Sequence, residues 1–155
     1  MSTTGLKVLS VALGIGLFGM AGGVAVAQID IQAIVKERQA NMKAMGDIGT
    51  RLRRNLQSEM PDLVAAKADA TEIDTRLQKI VDHFPKGTGP SSGVETHAIE
   101  AMFSQLSAFR YRAGKTQDAS AEFLKTFDTG DITKIREAEN VMRGGCGGCH
   151  EMFRP

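Results

Sequence analysis

The chain has 155 residues, of which 42% are hydrophobic and 24% charged, and 19 basic against 18 acidic side chains give a net charge of +1. That balance suits one globular domain and excludes a disordered polar chain. With no basic surplus, no tryptophan and a single tyrosine, the chain also lacks the charge and the stacking surface of a nucleic-acid binder.

Met1 to Ala27 carries one basic residue, Lys7, and no acidic one. The segment is largely apolar and closes on Ala25-Val26-Ala27, a small-x-small site before the polar Gln28. This is the layout of a cleavable signal peptide, so residues 1–27 are expected to be removed and residues 28–155 to form the exported domain. Gly14, Gly16, Gly19, Gly22 and Gly23 weaken the alternative of an uncleaved anchor. No membrane segment is then expected in the mature chain, which would reach an oxidising compartment.

The remainder reads as helix throughout, with apolar residues at three- and four-residue steps. The first stripe runs Ile31, Val35, Arg38, Met42, Met45, Gly49, Leu52 and Leu56. It places a guanidinium on the inner face, so Arg38 either snorkels from the seam's edge or meets an anion in the core. Gly49 leaves room where a side chain would normally fill the seam.

The second stripe is Leu63, Ala66, Ala70, Ile73, Leu77, Ile80 and Phe84, with Pro61 expected in the first turn and Pro85 at the end. A loop from Lys86 to Glu95 follows, rich in Gly, Pro and Ser. Thr96 is expected to cap a third helix whose stripe runs Ile99, Met102, Phe103, Leu106, Phe109 and Ala113, then Phe123, Leu124 and Phe127. After the Thr129-Gly130 turn, Asp131 caps a fourth, striped by Ile135, Ala138 and Met142. Short connections around one long one predict an all-α, antiparallel four-helix bundle. His83 and His97 read as ordinary helix-end residues.

The fourth helix ends in Cys146-Gly147-Gly148-Cys149-His150. The C-x-x-C-H spacing is that of c-type haem attachment, in which two thiols add to two vinyl groups and an imidazole reaches the iron. On a helix the three side chains share an arc of roughly 100°. A redox dithiol would be expected near a βαβ pattern, and a structural zinc site needs four ligands; neither is in view. One covalent haem c near the C-terminus also gives Arg38 its anion, because a propionate suits the guanidinium fork. Met42, one turn further along, then falls near the iron, opposite His150.

The chain resembles the cytochrome c′ family of exported four-helix-bundle haem proteins. The resemblance rests on Cys146 to Arg154, on Val35 to Met45 and on Phe84-Pro85-Lys86-Gly87. It implies a periplasmic location, with His150 as proximal iron ligand and Cys146 and Cys149 as thioether anchors. Arg38 and Gln39 would contact the propionates, Met42 would be the distal residue, and Arg154 the basic residue beside the proximal face. A homodimer is the family's usual state. Phe103 stands where the family commonly has tryptophan. Gly144, Gly145, Gly147 and Gly148 are expected to weaken the haem-bearing helix.

The family has two functional branches. Low-spin members ligate the iron with a methionine of the first helix and serve as electron carriers, passing electrons to redox partner proteins. High-spin members leave the sixth position blocked but open to nitric oxide or carbon monoxide. Met42 can ligate or block; ligation and electron transfer are the expectation, gas binding the alternative. Met45 is the fallback ligand. Met42, Met45 and Gly49 offer no acid–base group, so a haem enzyme such as a peroxidase is not expected.

Overall fold

The computed structural model describes residues 30–154. The signal peptide expected at residues 1–27 lies outside them. Five helices follow in order: α1 (Ile31–Leu56), α2 (Leu63–Gln78), α3 (Glu100–Ser104), α4 (Leu106–Thr126) and α5 (Ile132–Phe153). The four long ones form the antiparallel bundle. Among the described residues there is no strand, and no helix is long and apolar enough to cross a membrane.

Aspartates start three of the long helices. The carboxylates of Asp30, Asp62 and Asp131 each accept from free backbone N–H groups of the first turn. Asp62 is therefore the N-cap of α2, and Pro61 precedes the helix rather than opening it. Asn55 of α1 exchanges two hydrogen bonds with the Asp62 backbone, at 2.8 and 2.9 Å, which fixes the α1–α2 turn. At the far ends, side chains of neighbouring helices satisfy orphan carbonyls. Arg136 of α5 donates to Leu56 O at 2.6 Å, and Gln117 of α4 to Leu77 O at 2.9 Å.

Two boundaries depart from the periodicity. The α2 stripe extends to Phe84, but the helix stops at Gln78 and a 3-10 turn, Ile80–His83, carries Ile80 and the adjoining Phe84 inward. Pro85 disfavours a helical conformation at Phe84, so the chain tightens before it. The third stripe is broken at Gln105 (φ −119°, ψ 38°) into α3 and α4. The reason is tertiary. Glu100 accepts from the backbone and hydroxyl of Ser91, and Phe103 lies where a side chain on Gly89 would be. These contacts hold α3 against the loop at its own angle. Thr96 does not cap it; its hydroxyl accepts from Ala98 N–H and from Arg38.

The core runs along the bundle through Leu52, Leu56, Ala66, Ala70, Ile73, Phe109, Phe123 and Ile135. At one end Phe109 stacks between Phe84, at 4.8 Å, and Phe153, at 5.7 Å. The four glycines do not interrupt α5. Packing is close between α1 and α2, α2 and α4, and α4 and α5, whereas α1 and α5 scarcely touch. That gap positions the site.

Candidate haem site

The gap between α1 and α5 is a cavity of about 250 Å³. Met42, Met45, Gly46, Gly49, Thr50 and Arg53 form its α1 wall. Glu139, Met142, Arg143, Cys146, Cys149 and His150 form the α5 wall, and Ile73, Leu77, Ile80, Ala113 and Thr116 close it behind. The opening arises because the face of α1 towards α5 carries two glycines three residues apart, Gly46 and Gly49. A Cβ at Gly46 or Gly49 would meet nothing within 4 Å.

The structure brings Met42, Cys146, Cys149 and His150 to one cavity, with the thioether and the imidazole on facing walls. Both cysteines are free and half-buried. Burial pushes both thiols up from their ordinary values, with a smaller contribution from Glu139 on Cys146 and from Cys146 on Cys149. Raised thiols are poor thiolates, which is unlike a reactive redox pair. Burial, and secondarily the Arg154 charge, lowers the His150 imidazole, which favours the neutral, iron-ligating form. Among the described residues no group of three or more His, Cys, Asp or Glu could hold a metal ion by itself. A mainly apolar space between two helices, with two neutral thiols and an imidazole on one wall, fits a haem c.

Arg38, Gln39 and Arg154 do not line the cavity. Arg38 is 3% exposed, so it does not snorkel. Its guanidinium donates to Thr88 Oγ1 and O, each at 3.1 Å, and to Thr96 Oγ1 at 2.7 Å, and lies 4.6 Å from the Phe84 ring centroid. Burial lowers its pKa, and no carboxylate pairs with it among the described residues. Two of its five N–H groups are left over from these three bonds. Gln39 is exposed and donates to Glu95 O at 3.1 Å. Arg154 is exposed, and its backbone N–H donates to His150 O.

Sequence reasoning missed Arg53, Glu139 and Arg143. Glu139 sits seven residues before Cys146, two turns up the same face, a spacing that could have found it. It is 6% exposed, and Arg143 Nε stands 3.6 Å away. Burial raises its carboxyl, against opposing pulls from Arg143 and Arg53. Gly145, expected from the sequence only to weaken the helix, has a packing role as well. Its backbone lies against Thr116 of α4, where a Cβ would come within 2.8 Å of Oγ1.

The family model described as Cytochrome C′ matches residues 33–154. The cytochrome c′ of Rhodospirillum rubrum is 30% identical over 129 residues, covering 81% of this chain and 84% of that one. That of Pararhodospirillum photometricum is 28% identical over 123 residues, covering 79% and 97%. Among solved structures, a cytochrome c′ with ligand-controlled dimer dissociation superposes with a TM-score of 0.75 at 21% identity, covering 83% of this chain and 98% of that one. A nitric oxide complex of a variant cytochrome c prime from Alcaligenes xylosoxidans superposes with a TM-score of 0.71 at 23% identity, covering 80% and 95%.

Proposed function

Since this chain belongs to the cytochrome c′ family of c-type haem proteins, with one covalent haem c, we propose that it is an exported electron carrier and not an enzyme. The observation that carries this reading is the placement of Met42 on the wall facing His150 across the cavity. Cys146 and Cys149 would hold the haem by thioethers and His150 would ligate the iron. When bound, the haem supplies a one-electron couple.

The chain's own residues do the rest. Met42 offers a soft thioether to the open side. Ile73, Leu77 and Ile80 keep water from the inner edge. Arg38 has donors left for a propionate, and Gln39 lies one residue on at the same end of α1. Arg154 holds positive charge beside His150. No imidazole or carboxylate stands on the α1 wall. The cavity's one carboxylate, Glu139, is on the helix of His150, so the facing-wall acid–base group of a haem peroxidase has no counterpart here.

The segment 1–27 would direct export to the periplasm and be cleaved after Ala27. Redox partner proteins would be its functional contacts. Met60 and Val64, 89% and 82% exposed near the α1–α2 turn, support a homodimer. The absorption spectrum of the purified ferric protein tests the central reading. A low-spin spectrum with a sulfur-to-iron band in the near infrared is expected. A high-spin spectrum would overturn ligation and assign Met42 to blocking, making this a binder of nitric oxide or carbon monoxide.

A further inference from the structure

We propose that Glu139 is a redox-linked proton site: it binds one proton from solvent when the haem of the adjoining cavity accepts one electron. The proposal rests on the haem reading above. Glu139 is a cavity-lining carboxylate, 6% exposed, that no hydrogen bond holds among the described residues. Its one ionic contact is Arg143 Nε at 3.6 Å, longer than a hydrogen bond. A charge so placed is poorly solvated, and a proton relieves it.

The facing elements supply few other charges. From α1 comes Arg53, and from its own helix Arg143. The cavity-lining residues of α2 and α4, Ile73, Leu77, Ala113 and Thr116, are uncharged. The α5 wall also carries Cys146, which feels the Glu139 charge, with Cys149 and His150; with haem bound these would be thioethers and an iron-held imidazole, which leaves Arg53 and Arg143 as the charged neighbours. Burial already raises the carboxyl, while Arg143 and Arg53 restrain it. Adding an electron removes one positive charge from the same space. The ionised carboxylate loses that stabilisation, and its proton affinity rises.

The step balances simply. A soluble one-electron donor provides the electron, solvent provides the proton, and the only bond formed is O–H on Glu139. Arg143, which lies 3.6 Å from the carboxylate, is itself half-exposed, so solvent stands one side chain away from Glu139. A unit change of charge in one low-dielectric cavity shifts proton affinity on the order of tenfold. For a one-electron couple that corresponds to about 59 mV between the acid and alkaline plateaus of the midpoint potential. The potential falls as pH rises between the two plateaus.

The test is a spectroelectrochemical titration of the holoprotein from about pH 4 to about pH 9, covering carboxylate and imidazole ranges, for wild type, Glu139→Gln and Arg143→Gln. A pyridine haemochrome spectrum comes first; absence of covalent haem there defeats the haem reading itself, not this inference alone. With haem present, the wild-type potential should bend with pH, Glu139→Gln should flatten that bend, and Arg143→Gln should move it to higher pH. A flat wild-type potential, or a bend unchanged in Glu139→Gln, overturns the proposal. If Glu139→Gln fails to fold, Arg143→Gln decides: a bend that stays in place overturns it.

Discussion

Gly145 of α5 lies so close to Thr116 of α4 that a Cβ on the glycine would come within 2.8 Å of the threonine hydroxyl. That hydroxyl donates to Arg112 O at 3.1 Å, so it cannot turn away without losing a bond. The two helices thus touch backbone to side chain one residue before Cys146. Gly145→Ala gains up to about 1 kcal/mol of helix propensity. Overpacking removes about 1–3 kcal/mol. We expect a lower melting temperature for the holoprotein. Gly144→Ala, where nothing lies within 4 Å, should raise it through propensity alone. Calorimetry that ranks the pair the other way would refute the close contact.

Met42→Ala should abolish the near-infrared sulfur band, turn the iron high-spin and admit carbon monoxide readily. Met45 shares the α1 wall. A band that survives in Met42→Ala and disappears in Met45→Ala would transfer the ligand to Met45.

Changing Cys146 and Cys149 to Ala together should leave haem extractable by acidified organic solvent, because both covalent tethers are gone. His150→Ala should retain covalent haem but alter its iron spectrum. An unaltered spectrum would remove His150 from the ligand set.

Arg38→Met should destabilise the fold by about 1–3 kcal/mol in urea titrations, since it strips donors from the buried Thr88 carbonyl and from two hydroxyls. Arg38→Lys should recover only part of this. One ammonium lacks the planar fork that reaches Thr88 and Thr96 together.

Asp131 supplies the acid-side prediction. The backbone N–H of Lys134 is the main cause that lowers its carboxyl below the ordinary value; desolvation opposes it, and the Thr133 N–H and the Lys134 charge add to the lowering. A lowered folded-state pKa adds stability above the unfolded value, and that stability is lost as pH falls through the folded one. Asp131→Asn should therefore show a shallower loss of melting temperature in acid than wild type. Parallel acid limbs would remove the carboxylate from the account.

Much of the bundle is legible in the order of residues because helix formation is local. Asp131 caps α5 through N–H groups two and three residues away, and the stripes of α1 and α5 depend only on steps of three and four. The Cys146-to-His150 motif is local in the same sense, since its chemistry needs three side chains on one short arc. Arg38 was legible as an inward-facing charge but not as a residue bonded to Thr88 and Thr96, which stand 50 and 58 positions away.

Short-range signals, namely periodicity, capping and the haem-attachment motif, are enough to give a helical chain with that motif near its C-terminus. Long-range packing sets the separation of α1 from α5, the break of the third stripe at Gln105, and the position of Glu139 across the cavity from Arg53. Each of these depends on which surfaces meet. The break follows from Phe103 packing on Gly89 and Glu100 binding Ser91. The cavity follows from small residues on one helix facing the wall of another. Such contacts join residues far apart in the chain, and no local pattern carries them.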